Sequence, residues 1–175
     1  MIRAARPDDA PAIGRVQIEA WRAAYRGIVW DATLARLSPT VRASEWGELV
    51  ADDRGARFIV VADDATDGVS GFAAAGPERS GDPTYRGELY AIYVLPSHQR
   101  QGLGGSLVRF VASRLAAAGT TSMLLWVLEA NPRARAFYEA LGGIVVRSKS
   151  IDIAGQTLTE VAYGWPDLRG LLGSR

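Results

Sequence analysis

The chain has 175 residues, with 20 Lys plus Arg against 19 Asp plus Glu, one His and no Cys. That length predicts a single domain, 1–175, able to bury its own core; the missing Cys excludes disulfide scaffolds, thiolate metal sites and thiol nucleophiles, and one His excludes a multi-His centre, so no metal is expected. A net charge of +1 is too small for nonspecific nucleic-acid or anionic-membrane binding, both of which need a summed basic field.

The opening MIRAARPDDAP lacks an apolar targeting core and no run approaches eighteen apolar residues, which predicts a cytoplasmic protein. Residues 2–5 form a short strand closed by Pro7. Asp8 or Asp9 then caps a helix whose apolar positions Ile13, Val16, Ala20, Trp21 and Ala24 recur every three or four residues, and Gly27 ends it. Leu34 and Leu37 mark a brief helical segment; Ser38-Pro39 opens another, with Ser as N-cap and Pro at the first helical position. RFIVVA (57–62) is a buried strand, DDATDG (63–68) a hairpin turn and VSGFAAAG (69–76) the returning strand, followed by a flexible stretch, PERSGDP (77–83).

A strand from about Glu88 to Leu95 leads through a Gly-rich loop into a helix from about Leu103 to Ala118, whose buried stripe is Leu103, Leu107, Val108, Val111 and Leu115. SMLLWVL (122–128) has the length and uniform apolarity of a strand covered on both faces. Asn131-Pro132 starts a helix carrying Ala134, Phe137, Tyr138 and Leu141, ended by Gly142-Gly143, and IVVRSKSIDI with TLTEVAYGW form a closing hairpin around Ala154-Gly155-Gln156. The predicted order, β-α-α-β-β-β-α-β-α-β-β, makes a mixed α/β fold, a sheet flanked by helices.

Charge is unevenly spread. Residues 89–128 contain Arg100, Arg109 and Arg114 but no acid, which suits an anionic ligand or, equally, a solvated helix face. Inside this window Gly102, Gly104 and Gly105 open a helix, where bare backbone N–H groups and the helix dipole favour a pyrophosphate, with Arg100 adding a full charge. The sequence is not a P-loop, since the only Lys is Lys149, and it lacks the third Gly and the downstream acid of a dinucleotide fingerprint. What it does contain is Q-x-x-G-x-G at Gln99, Gly102 and Gly104, then N-P-R-A-R-A-F-Y at 131–138 on the next helix. Seven residues of helix turn through about 700° and rise about 10 Å, so Asn131 and Tyr138 point the same way along one wall.

These two motifs, in this order, resemble those of the GCN5-related N-acetyltransferase (GNAT) family, strongly over about 85–145 and through the order of elements elsewhere. The resemblance implies a mostly antiparallel GNAT-type sheet and acetyl-CoA as co-substrate, held by Gln99, Arg100, Gln101, Gly102, Leu103, Gly104, Gly105 and Ser106 of the loop. It also implies that Tyr93 and Val94 pair with pantetheine, that Asn131 and neighbouring Arg133 hold the same ligand, and that Tyr138 protonates the departing thiolate. From the residues alone, Asn131 is also a good N-cap and Tyr138 a good core aromatic. Glu88, fourteen residues before Gly102, stands where histone-type members carry their base; it is equally a solvated strand end. Gly142-Gly143 departs from the family's frequent Gly-Phe, which leaves the local packing open.

Trp21, Tyr25 and Trp30 in WRAAYRGIVW are the candidate acceptor-binding residues, with core or interface packing as the alternative. The expected activity is acetyl transfer to a primary amine of a small molecule or peptide by direct attack in a ternary complex. A non-catalytic CoA or acyl-CoA sensor on the same fold is the alternative. No nucleic acid or membrane partner is expected, and the closing hairpin offers a homodimer interface.

Overall fold

The structure, a computed structural model, describes residues 1–52, 55–64 and 68–173; three of the six residues of the turn expected over DDATDG, 65–67, lie outside them. In chain order the elements are β1 (Ile2–Ala4), α1 (Ala10–Ala24), α2 (Asp31–Arg36), α3 (Pro39–Ala51), β2 (Phe58–Asp64), β3 (Gly68–Pro77), β4 (Gly87–Val94), α4 (Leu103–Ala117), β5 (Met123–Leu128), α5 (Pro132–Ala140), β6 (Ile144–Ile153), β7 (Gln156–Trp165) and α6 (Arg169–Leu172). The expected series is present, with α2 as the brief segment around Leu34 and with α6 as an unforeseen final turn.

The seven strands form one sheet in the order β1-β2-β3-β4-β5-β7-β6. Every neighbouring pair is antiparallel except β4 with β5. Helices cover both faces, which is why the runs in β2, β3 and β5 are apolar without alternation. Val60, Ala73, Leu107, Val111 and Leu125 belong to the core beneath α4. Ile13, Val16, Trp46, Val61 and Phe72 belong to the core beneath α1 and α3.

α1 and α3 approach closely at Gly14, where an added Cβ would lie 2.7 Å from both Ala43 N and Pro39 O. A Gly→Ala change in a helix ordinarily gains about 1 kcal/mol from propensity. Here the clash is with backbone that cannot rotate away, so Gly14→Ala is expected to be net destabilising by about 1–2 kcal/mol, as overpacking is. Chemical denaturation of the variant checks the sign. The Trp46 indole N–H donates to Gln17 Oε1 at 2.7 Å across the same helix pair, a buried polar contact that fixes their register.

Two local expectations change. Asp9 does not cap α1 through its side chain. Its carboxylate instead accepts from Arg6 N and from the Arg3 guanidinium, all at 2.7–2.8 Å, and Arg3 also reaches Asp63. PERSGDP is an anchored loop rather than a flexible one. Asp82, with its side chain fully buried, accepts from Thr84 N at 2.8 Å and Tyr85 N at 2.9 Å, and pairs with Arg147 of β6. A short polar Gly/Pro stretch predicts a loop, but not that one of its carboxylates is drawn inward.

The fold creates its opening at the parallel seam. β4 and β5 pair only at Gly87↔Met123, Glu88↔Leu124 and Leu89↔Leu125. Against β3, Ala74 pairs with Ala91 and Ala75 with Leu89, so Tyr90 is the extra residue of a β-bulge at the same point. A bulge bends and twists its strand. Beyond it β4 turns away from β5, and among the described residues no strand pairs with the edge from Tyr90 to Val94 on that side.

Candidate active site

The divergence of β4 and β5 opens a groove of about 540 Å³, closed by the end of α1, the start of α4 and one side of α5. Its lining includes Arg100 and Arg133 but no Asp or Glu. The acid-free window of the sequence therefore supplies the anion-tolerant wall of a cleft.

At one end Arg100 (φ 63) and Gly102 (φ 80) both take left-handed conformations. Gly102 serves as N-cap of α4, and Ser106 N is the first donor to it, at 3.0 Å. The N–H groups of Leu103, Gly104 and Gly105 precede that bond and have no acceptor within the helix. Gln99 Nε2 donates to Val94 O at 3.0 Å and holds the loop against the end of β4. An added Cβ on Gly104 would lie 3.2 Å from the Phe137 ring, so a bare residue lets α4 settle against α5. Gln99, Arg100, Gly102, Gly104 and Gly105 line the groove. Gln101, Leu103 and Ser106 do not: Gln101 Nε2 donates to Ser97 O, Leu103 packs into the core, and Ser106 Oγ donates to Gly102 O. The side chains of these three are engaged within the protein, which leaves their main chain for the role expected of the loop.

Asn131 and Tyr138 lie along one wall with Arg133 between them, as their spacing requires. Asn131 is an N-cap that also lines the groove. Its Oδ1 accepts from Ala134 N at 3.1 Å as N-cap of α5, and the residue lines the groove, so the amide NH₂ remains for a ligand. Tyr138 is buried, with ring neighbours Phe137, Tyr163 and Trp165 at 5.2, 5.8 and 6.4 Å. Burial, with a smaller push from Tyr93, raises the Tyr138 hydroxyl well above the usual phenol range, so it keeps its proton. Gly143 explains the departure from Gly-Phe: a Cβ there would lie 2.7 Å from the Trp165 ring, which fills the space and donates to Leu141 O.

Tyr93 and Val94 line the opposite wall, on β4. The Tyr93 side chain packs on Phe72 at 5.6 Å. Burial raises its hydroxyl, opposed by hydrogen-bonding groups of Trp21 and Tyr25 that face it. Tyr25 lines the groove and is raised by its own burial and by Tyr93 and Tyr138, which places three protonated phenols about one region. Trp21 stacks edge-on to Tyr25 at 4.9 Å but stands behind it, outside the groove. Trp30 also stands outside this lining. Half exposed, it lies beyond the groove, where its backbone N–H and Ile28 O are bonded by the Gln156 amide of the closing hairpin.

Glu88 is not in the lining. It is 3 % exposed, and Arg79 holds both its oxygens, through N, Nε and one terminal nitrogen at 3.2, 3.0 and 2.5 Å. An acid clamped in this way is a structural partner of Arg79 outside the groove lining, and at 3 % exposure it is not the solvated strand end the sequence allowed. Arg79 in turn covers the face of Tyr90 at 4.3 Å, the bulge residue that lines the groove. Sequence reasoning missed Tyr90 and also Trp126, the one aromatic residue in MLLWVL. An aromatic residue in an apolar run looks like core unless the strand beside it is known to leave.

The profile of the Acetyltransferase (GNAT) family matches residues 17–143. "Uncharacterized N-acetyltransferase YuaI" of Bacillus subtilis is 38% identical over 170 residues, covering 97% of this chain and 95% of that one. Among solved structures, the PaiA N-acetyltransferase of Thermoplasma acidophilum in complex with coenzyme A superposes with a TM-score of 0.72 at 18% identity, over 92% of this chain and 96% of that chain. YncA of Salmonella typhimurium, a putative acetyltransferase with acetyl-CoA, gives 0.66 at 23% identity, over 96% and 93%. Family profile, full-length relative and split-sheet fold agree: the chain belongs to the GNAT family of acetyltransferases.

Proposed function

We propose that the chain transfers the acetyl group of acetyl-CoA to a primary amine of a small molecule or peptide, by direct attack in a ternary complex. The observation that carries this reading is the acid-free groove between diverging strands, with a protonated, buried Tyr138 in its wall. Acetyl-CoA supplies an activated acyl thioester. The N–H groups opening α4, with Arg100, suit its pyrophosphate. The Tyr90–Val94 edge offers main-chain partners to an extended arm carrying amides, and the Asn131 NH₂ stands on the facing wall. Tyr138 holds a proton for the departing sulfur, which lowers the cost of breaking the thioester.

Thermal shift tests the reading. Acetyl-CoA and CoA at a hundred times their Kd are expected to stabilise the protein by about 2.7 kcal/mol, and Arg100→Ala is expected to need about tenfold more ligand for the same shift, the loss of one charge-assisted contact. Absence of a shift with either ligand sinks the proposal. Thiol release across amines, amino acids and peptides then separates transfer from mere binding.

A further inference from the structure

Lys149 is the only lysine among the 20 cationic side chains of the chain. It stands on β6 directly opposite Glu160 of β7. Glu160 in turn pairs with Leu128 of β5, and Ala162 with Trp126, so Trp126, Leu128, Lys149 and Glu160 share one face of the sheet. That face is the one on which Tyr25 packs with Leu128. The Lys149 ammonium lies 3.9 Å from the centre of the Trp126 ring and 3.7 Å from Glu160 Oε2. Trp126 lines the groove, and Lys149 and Glu160 stand beside it, outside the lining.

An indole face with a carboxylate beside it is a seat for a primary ammonium. Arg serves at every other cationic position of this chain except here. Guanidinium satisfies an ion pair as well as ammonium does, but it does not lose its proton and is no acyl acceptor, whereas a lysine amine is both removable from its proton and nucleophilic. Glu160 has the character of a receiving base: its side chain is 15% exposed, and burial raises its carboxyl above the usual range, with Lys149 opposing.

We propose that Lys149 is an acetylation site of this enzyme, its Nζ reaching past Trp126 from beside the groove to take the acetyl group of acetyl-CoA bound there. The proposal rests on the acetyltransferase reading above. In the step, the ammonium gives one proton to Glu160 and thence to solvent; the freed Nζ lone pair forms the bond to the acetyl carbon as the carbon–sulfur bond breaks. Tyr138 protonates the sulfur, and the second proton of the attacking nitrogen restores the phenol. The products are an N-acetylated Lys149, CoA as thiol and one proton in solvent.

The test is intact mass and peptide mapping of the purified chain incubated with acetyl-CoA and no added acceptor. One acetyl group is expected on Lys149, at a rate independent of protein concentration and suppressed by excess CoA. Lys149→Arg should show none there, and Glu160→Gln, folded by its melting temperature, should be modified at least tenfold more slowly. Modification confined to the Met1 amine, no modification, or equal rates in the urea-unfolded chain overturn the proposal. If acetyl-CoA still stabilises the protein in that case and thiol is released with an added amine, the enzyme reading stands and only this inference falls; if neither occurs, both fall.

Discussion

A Tyr138→Phe variant is expected to turn over about a hundredfold more slowly than the parent, the scale of a lost general acid, while binding acetyl-CoA and melting as the parent does. The ring makes the packing contacts with Phe137, Tyr163 and Trp165, and Phe keeps the ring. What is lost is one hydroxyl facing a groove, so core stability stays within about 1 kcal/mol. Because burial keeps the phenol protonated, the parent should show no loss of turnover from this group as pH rises through the neutral range. Thiol release under saturating acetyl-CoA measures the effect, and an equal rate in the variant removes Tyr138 from the chemistry.

Asp82→Ala is expected to cost about 3 kcal/mol of stability. The carboxylate is fully buried and holds two backbone N–H groups as well as Arg147. Removing it leaves the Tyr85 donor unpaired in a buried position, a loss of about 1–3 kcal/mol, together with a broken ion pair. Arg147 is 41% exposed and regains water, which keeps the total below the full cost of stranding a buried charge. Burial pulls the Asp82 carboxyl upward, but the Tyr85 and Thr84 donors and Arg147 outweigh it, so the group ends below its ordinary value. A carboxylate depressed in the folded state contributes stability above its unfolded value near about 3.9, and this is lost as pH falls through the lower folded value. The parent should therefore lose stability on acidification with a steeper slope than the variant, a difference that urea titrations at a series of acid pH values resolve. The same loop carries Arg79, so the variant is also expected to loosen the Glu88 clamp and the cover over Tyr90.

The contrast between these two residues shows what the sequence could express. Tyr138 was legible because its signal is local: a helix start at Asn131 and a fixed spacing put it on the same wall, and the structure keeps it there. The Gly loop was legible for the same reason. Asp82, Arg79 and Lys149 were not, because each is defined by a partner on another element. Arg147 lies on β6 and Glu160 on β7, and no periodicity reveals which register brings them opposite. The groove itself depends on one extra residue, Tyr90, in the ladder between β3 and β4, a break that strand-forming residues on either side conceal. The place of Trp30 was hidden for a related reason: a Trp near a predicted site says nothing of which side of a hairpin it meets.

On the proposed reading, in which a ligand's extended arm pairs with it, the unpaired stretch of β4 gives this family member a form of mutational insurance. A recognition edge composed of peptide groups survives replacement of every side chain along it, with proline as the exception, since only proline removes a donor. Selection on such an edge acts on the path of the chain, through the bulge that bends it, and leaves the lettering of the strand free to drift. The similarity of the fold to structures at 18% and 23% identity is what such a division of labour would allow: a kept path with a changed sequence.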